Sequence, residues 1–498
     1  MKRKNNELEP CQIIIFGGTG DLTHRKLMPA LYNLQAQGLL PDNAPIISIG
    51  RRDKNNEIYR DEIYHSINKY SRNEVEDSVW SSLSSRIFYQ RFDFREDEGY
   101  SRFKNFLCQN QREYQTGGNR IFYLAVAPEY FGIIVDKLKE FNIVNQGGSG
   151  WNRVVIEKPF GHDLDSARKL NDKITAVFNE ENTYRIDHYL GKEMLQNIMT
   201  IRFANTIFEP VWNNRYIDNI QIVSSESAGV GRRGGYYEQA GALKDMVQNH
   251  MLQLLTLTAM EPPATLDTES IRDEKVKVLK ALLEMDTADI RKFAVRGQYG
   301  PGKIKGRRVP GYRDEERTDP DSKTETFVAL KVYINNIRWS GVPFYIKTGK
   351  RLQKKSTEVI IEFKDMLHPI YLKNFNSINP NLLVIRIQPR EGVYFRFNTK
   401  KPGTRQTIIP VNMDFCQNCQ IGQNSPEAYE RLLQDVILGD QTLFTRWDEV
   451  EYSWSFIDKI AEAWQDNNPD FPNYHAGSQG PIAAEKMLQQ EGHHWWNV

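Results

Sequence analysis

Near its start the chain runs from a short apolar stretch, Gln12-Ile13-Ile14-Ile15-Phe16, through Gly17-Gly18-Thr19-Gly20-Asp21-Leu22 into a segment where Leu27, Leu31 and Leu34 recur at helical spacing. Few local patterns restrict a fold as much. A β-branched run of this length is a strand buried on both faces. Glycines directly after such a strand, and directly before a helix, let the backbone approach a pyrophosphate whose charge rests on the helix N-terminus. The fingerprint is imperfect. Read as G-x-G-x-x-G from Gly18, its third glycine falls on Thr23.

The same unit then repeats. Pro45–Ile49, Ile87–Phe94, Ile121–Ala125 and Arg153–Ile156 read as further strands, with helical patterns such as Phe131, Ile134, Leu138 between them. Alternation of this kind predicts a parallel, doubly wound, Rossmann-like sheet. The second strand ends in Gly50-Arg51-Arg52. An acidic residue there binds the ribose 2′-hydroxyl of NAD, and an arginine accommodates the 2′-phosphate of NADP. Arg51 points to NADP, while Asp53 leaves NAD use open. Ala127-Pro128 comes after the fourth strand, and the fifth runs into Glu157-Lys158-Pro159-Phe160-Gly161. Lys158 therefore stands at the edge where ligands of open α/β sheets lie, or is a solvated strand end.

Arg185-Ile186-Asp187-His188-Tyr189-Leu190-Gly191-Lys192-Glu193 packs acids, cations and an imidazole in front of an apolar pattern, Met194, Leu195, Ile198 and Met199. A helix starting near Gly191 would set His188 and Lys192 around its N-terminus, where an anion is favoured. Asp187 accepts only, and suits holding another imidazole in one tautomer.

Further on, Ile220, Ile222, Ser224 and Glu226 alternate along one strand face. Glu226 is either at the strand end in water or aimed into a pocket as a hydroxyl acceptor. Leu243, Met246, Val247, His250 and Leu254 share a helical face. Asp245 and His250 lie five positions apart. On a regular α-helix they point roughly 140° from each other. One ligand touches both only across the helix edge, or if the helix is interrupted.

These segments, in this order, resemble the glucose-6-phosphate dehydrogenases. The similarity runs from Gly17–Leu22 through Glu157-Lys158-Pro159, Arg185–Glu193 and Glu226–His250 to Arg296–Tyr299, Gly311-Tyr312, Thr324-Glu325-Thr326, Lys347–Leu352, Ala428–Leu433, Gly439-Asp440 and Thr442–Phe444. The resemblance implies oxidation of D-glucose 6-phosphate to 6-phospho-D-glucono-1,5-lactone by hydride transfer from C1 to NADP, the first step of the oxidative pentose phosphate pathway. It implies His250 as general base and Asp187 as the carboxylate orienting it. His188 and Lys192 would bind the 6-phosphate, and Glu226 and Asp245 the sugar hydroxyls. Lys350 and Lys355 match two basic substrate contacts, and Lys158 would lie between sugar and nicotinamide. Gly17, Gly18, Thr19, Gly20, Asp21, Leu22, Arg25 and Arg51 match the cofactor site, with Thr23 where alanine is common. Another NAD(P)-dependent sugar dehydrogenase of related architecture would not need the basic pair His188 and Lys192. A catalytically idle NADP-binding protein would need neither Asp187 nor His250.

From Thr326 onward, strand-like runs at Phe327–Ile337, Glu358–Phe363, Leu382–Ile387 and Tyr394–Phe397 predict a large, mainly antiparallel sheet in an α+β domain. A chain of 498 residues exceeds one ordinary core. The expected division is an NADP-binding domain over 1–185 and a substrate-binding, oligomerisation domain over 186–498. Gly300–Asp321 reads as a surface loop or crossing arm, and Ser425-Pro426 caps a helix stopped by Gly439. The net charge of +1 gives no reason to expect nucleic acid or an acidic membrane. No apolar run approaches a membrane span, and no signal peptide is seen. Four cysteines make no disulfide framework, which fits a reducing cytoplasm. Cys416 and Cys419 lack the second pair that zinc requires, so both are expected as free thiols, with no metal. The family's dimers and tetramers imply a homodimer or homotetramer here.

Overall fold

The computed structural model describes residues 8–144, 150–365, 379–404, 407–416, 426–465 and 469–497. They form two compact units, neither continuous in sequence. The first takes residues 1–192, 266–272 and 424–451, the second 193–265, 273–423 and 452–498.

The first unit is built on β1 (Gln12–Phe16), β2 (Ile46–Gly50), β3 (Ile87–Arg91), β4 (Arg120–Leu124), β5 (Asn152–Ile156) and β6 (Thr183–Ile186). They are all parallel and stand in the order β6-β5-β4-β1-β2-β3, with the short strand Phe444–Thr445 added antiparallel to β6. This is the doubly wound order, with its direction reversing between β1 and β4. Both central strands are wholly buried, as their unbroken apolar runs require. The expected strands are present within a few residues. β6 is an addition to them, since Thr183-Tyr184-Arg185-Ile186 carries a charge in its middle and does not read as a buried strand. That charge is satisfied internally: the Arg185 guanidinium, 2% exposed, donates to Glu180 at 2.6 and 3.0 Å and to Asn171 at 2.7 Å.

The helix Ala428–Leu438 belongs to this unit although it lies far along the chain. Its buried Glu430 accepts from Asn33, Gln37 and Arg72, which pins it beside the helix Met28–Ala36. The N-cap is Glu427, in a capping box with Glu430, rather than the expected Ser425-Pro426 pair, of which Ser425 lies outside the described residues. Gly439 ends the helix at φ +78°, and the Arg153 guanidinium takes the last carbonyls, those of Val436 and Ile437.

The second unit holds an eight-stranded sheet, in the order Ile408–Cys416, Gly392–Lys400, Leu382–Gln388, Ser356–Phe363, Ile217–Ser225, Phe344–Gly349, Phe327–Val332, Ala294–Gly297. Only the pair Ile217–Ser225 with Phe344–Gly349 is parallel. The other pairings are antiparallel, as expected. Phe327–Val332 is shorter than the apolar run predicted, because Asn335-Asn336 turns the chain and leaves Ile337 95% exposed. Gly300–Asp321 contains a small hairpin, Gly302–Ile304 with Arg307–Val309, closed by Lys305 and Gly306, both at positive φ.

Beside the helix Glu193–Phe203 lies Leu252–Ala259, a helix with every residue buried. A buried helix end needs partners for its last carbonyls. The Arg202 guanidinium donates to the carbonyls of Leu257 and Met260, and the indoles of Trp212 and Trp339 donate to those of Thr258 and Ala259. No helix among the described residues is long and apolar enough to cross a membrane. Cys11 and Cys108 are free thiols. Cys416 is disulfide-bonded, which corrects the expectation of a free thiol, and Cys419 lies outside the described residues.

Candidate functional site

In the first unit, the turn after β1 lies at the carboxyl edge, at the point where strand order reverses. Gly17 sits at φ +94°, and a Cβ there would come within 2.2 Å of the Ala125 carbonyl oxygen, so no other residue fits without displacing β4's end. The Gly20 amide donates to the Gly17 carbonyl at 2.9 Å, closing the turn. Thr19 and Leu22 are half-buried within it, while Asp21 is exposed. Thr23, the departure from the fingerprint, is fully buried, and its hydroxyl donates to the same Gly17 oxygen at 2.9 Å. The side chain that replaces the third glycine thus braces the turn. Tyr59 adds a hydrogen bond from its hydroxyl to the Gly18 carbonyl at 2.8 Å.

Two arginines stand near this edge. Arg25 lies 3.4 Å from Asp21 and over the Tyr70 ring at 5.4 Å. Arg51, at the end of β2, is exposed and 3.7 Å from Asp93, and Asp53 accepts from Arg91 at 2.8 Å. Such exposed pairs hold their partners weakly, so either guanidinium can turn to a stronger anion at little cost.

Lys158 comes after β5, with a cis bond to Pro159, and is half-buried. Its neighbour Glu157 is a residue whose importance the spacing does not reveal. The Glu157 carboxylate accepts from the Tyr123 hydroxyl at 2.6 Å and the Tyr429 hydroxyl at 3.1 Å. Burial raises its pKa, the two hydroxyls and the Lys158 charge oppose that rise, and the Asp187 charge adds to it. Glu157 therefore anchors the backbone that presents Lys158, and places that edge next to Asp187.

Asp187, 2% exposed, shapes the segment after β6. Its carboxylate accepts from the Tyr189 amide at 2.9 Å and its carbonyl from the Leu190 amide at 3.0 Å. These bonds make 187–192 a run of turns, and the helix begins at Glu193 rather than near Gly191. Tyr189 is the residue that sequence reasoning misses here. The Lys192 ammonium lies 3.7 Å over its ring, and the His188 ring meets it edge-on at 5.1 Å. One buried aromatic thus holds both predicted phosphate ligands. Arg185, by contrast, faces the interior and takes no part.

In the second unit, Glu226 stands immediately after the strand Ile217–Ser225. Its carboxylate is paired with the Lys350 ammonium, and the Lys350 charge lies 5.1 Å over the ring of buried Tyr237. Lys355 is exposed, one residue before the strand Ser356–Phe363.

The backbone that carries Asp245 and His250 is not the regular α-helix that would set them roughly 140° apart. Leu243–Met251 winds as a π-helix, not an α-helix. With hydrogen bonds running i to i+5, the wider turn brings residues five apart back toward one face. Both side chains are buried, and Asp245 accepts from the Tyr236 hydroxyl at 3.2 Å. The preceding helix, Gly234–Ala242, is broken by Gly241 at φ +59°, and the buried-side wall there is Glu325. No periodicity could have marked these features, because an interrupted helix and an α-helix bury the same apolar residues.

Residues 14–197 match the family model for the glucose-6-phosphate dehydrogenase NAD binding domain, and residues 199–496 that for the glucose-6-phosphate dehydrogenase C-terminal domain. Glucose-6-phosphate 1-dehydrogenase of Bacillus subtilis (strain 168) is 49% identical over 495 residues, which cover 99% of this chain and 100% of that one. A solved structure of glucose-6-phosphate dehydrogenase in complex with its substrate glucose-6-phosphate matches with a TM-score of 0.88 at 37% identity, over 98% of this chain and 99% of that one. The structure of glucose-6-phosphate 1-dehydrogenase from Mycobacterium avium matches with a TM-score of 0.83 at 32% identity, over 99% of both chains.

Proposed function

The chain belongs to the glucose-6-phosphate dehydrogenase family, and from that premise we propose a residue-level account of how it oxidises D-glucose 6-phosphate at C1 to the 6-phospho-lactone. His250 takes the proton from the C1 hydroxyl, and Asp187 orients its imidazole and stabilises the cation that forms. His188 and Lys192, held on Tyr189, bind the 6-phosphate, which fixes the far end of the sugar and so aligns C1. Asp245 and Glu226 accept from the sugar hydroxyls. Lys350, paired with Glu226, holds that carboxylate in place, and Lys350 and Lys355 supply two basic contacts to the substrate.

The residues present fit a dinucleotide. The turn at Gly17 leaves no room for a side chain, and it opens on a helix N-terminus, the arrangement a pyrophosphate needs. Gly17, Gly18, Thr19, Gly20, Asp21, Leu22 and Arg25 would hold it, with Lys158 between sugar and nicotinamide. When bound, the nicotinamide supplies the hydride acceptor. Arg51 recognises the 2′-phosphate, which makes NADP the preferred cofactor and NAD the weaker one. In this assignment residues 1–185 serve the cofactor and 186–498 the substrate, and the enzyme works as a homodimer or homotetramer in the cytoplasm.

The observation that carries the substrate side is the π-helix Leu243–Met251, which supports joint action of Asp245 and His250 on one sugar. The test is nicotinamide reduction followed by absorbance with NADP or NAD, each against glucose 6-phosphate and glucose. Turnover is expected with glucose 6-phosphate, faster with NADP at low cofactor concentration. Equal use of free glucose would indicate a different sugar dehydrogenase, and no signal with any pair would indicate an idle NADP-binding protein.

A further inference from the structure

The π-helix that carries Asp245 and His250 is held at its first turn by a single residue from another element. The Ala242 amide donates to the Glu325 carbonyl at 3.0 Å, and the next amide, that of Leu243, donates to the Glu325 carboxylate at 3.0 Å. Two consecutive N–H groups at the helix start, which no helical carbonyl can satisfy, thus end on Glu325. The fit is tight. Gly241 turns at φ +59° beside the carboxylate, and a Cβ there would come within 2.2 Å of Glu325 Oε1. Glycine at 241 and glutamate at 325 are therefore one device: the missing side chain makes the space that the carboxylate fills.

Glu325 itself has little freedom. It lies just before the strand Phe327–Val332, and the residue between them is bonded on several sides. The Thr326 amide donates to the Gly297 carbonyl at 2.7 Å, its hydroxyl lies 2.9 Å from that of Tyr474, and its carbonyl accepts the Lys350 amide at 2.9 Å. The same short segment thus fixes the helix start and the backbone of Lys350. Burial raises the pKa of the Glu325 carboxyl, while the bond from Leu243 and the charges of Arg296 and Lys244 lower it.

We infer that Glu325 is a positioning residue for the reaction, a side-chain cap that sets the register of the π-helix and hence where Asp245 and His250 point. The inference rests on the roles proposed above for those two residues. Its content is geometric: what matters is an acceptor oxygen at the reach of a glutamate, and not its charge.

The experiment compares the full-length Glu325→Gln, Glu325→Asp and Glu325→Ala proteins with wild type and with His250→Asn. It reads kcat, the KM for glucose 6-phosphate and the thermal transition. Glutamine keeps the oxygen at the same reach, so its kcat is expected within about threefold of wild type. Aspartate keeps the charge but draws the oxygen back by one methylene, and alanine removes it. Both are expected to lose kcat by about ten- to a hundredfold and to raise KM, as a displacement of about 1 Å at catalytic groups does. An aspartate variant as active as the glutamine one would overturn the inference, as would an alanine variant with a lower thermal transition but unchanged kcat per folded molecule. If alanine does not fold, the glutamine–aspartate contrast decides alone. Full turnover in His250→Asn would instead remove the base assignment, leaving the cap to be judged on the KM contrast through Asp245.

Discussion

Thr23 invites a substitution whose outcome separates fingerprint from structure. Restoring the fingerprint glycine, Thr23→Gly, improves the match to the nucleotide-binding pattern, yet the structure expects it to destabilise the cofactor unit. Thr23 is fully buried in the first turn after Gly20, and its hydroxyl donates to the Gly17 carbonyl at 2.9 Å. Three terms add. Loss of the hydrogen bond costs about 1 kcal/mol. Loss of the buried Cβ and its methyl costs about 1.6 kcal/mol. Glycine's lower helix propensity costs about 0.4 kcal/mol more than threonine's. The total is about 3 kcal/mol. Thr23→Val isolates the first term, because it keeps the shape and removes the donor, while the Gly17 carbonyl still accepts from Gly20. For a unit of this size each kcal/mol moves the transition by about 2–4 °C. The valine variant should melt about 3 °C below wild type and the glycine variant about 9 °C below it. Both should show a raised KM for NADP and an unchanged KM for glucose 6-phosphate. Thermal unfolding with and without saturating NADP, paired with initial rates, measures all of this. A glycine variant as stable as wild type would refute the bracing role, and a valine variant as unstable as glycine would refute the division of terms.

His250→Asn should abolish most turnover while glucose 6-phosphate still binds, measured by calorimetry. In wild type kcat/KM should rise with pH as the imidazole loses its proton, a limb the variant lacks; substantial retained turnover would remove the base role. Lys192→Ala should raise KM for glucose 6-phosphate far more than for free glucose, and equal effects would sink the phosphate assignment. Lys347 is 4% exposed on the strand Phe344–Gly349, and burial pulls its pKa down to about 8. Between pH 8 and the unfolded value the unfolded chain binds the extra proton, so this lysine's burden on stability is full below pH 8 and eases as pH rises. Lys347→Met should therefore raise the thermal transition at pH 7 and raise it less near pH 10, and a pH-independent gain would contradict the assignment.

How much of the site is legible in the sequence depends on what each residue answers to. Gly17, Lys158 and the parallel strands depend on neighbours in sequence, so periodicity and punctuation suffice. Tyr189 escapes notice because a buried aromatic between two basic residues looks like ordinary core. Glu157 and Glu325 stand within motifs, but nothing beside them assigns a role, since their partners, Tyr429 and Leu243, lie far away along the chain. Arg185 looks like part of the charged patch, and only the position of Glu180 and Asn171 shows that it serves the interior.

The sequence by itself determined the strand, the glycine turn and the helix of the first unit, the mainly antiparallel sheet of the second, and the order of the chemistry-bearing segments. Those properties are set by side-chain alternation and by residues that permit or forbid local backbone angles, so they survive without knowledge of distant contacts. Tertiary structure alone decided that Leu243–Met251 is a π-helix and that Ala428–Leu438 belongs with the first unit. It also settled that Thr23 braces the turn, where the fingerprint alone would have it a departure that weakens the fit. Each of these depends on a donor or acceptor supplied from elsewhere in the fold. A buried amide must find its partner wherever the chain places one, and no local pattern states where that is.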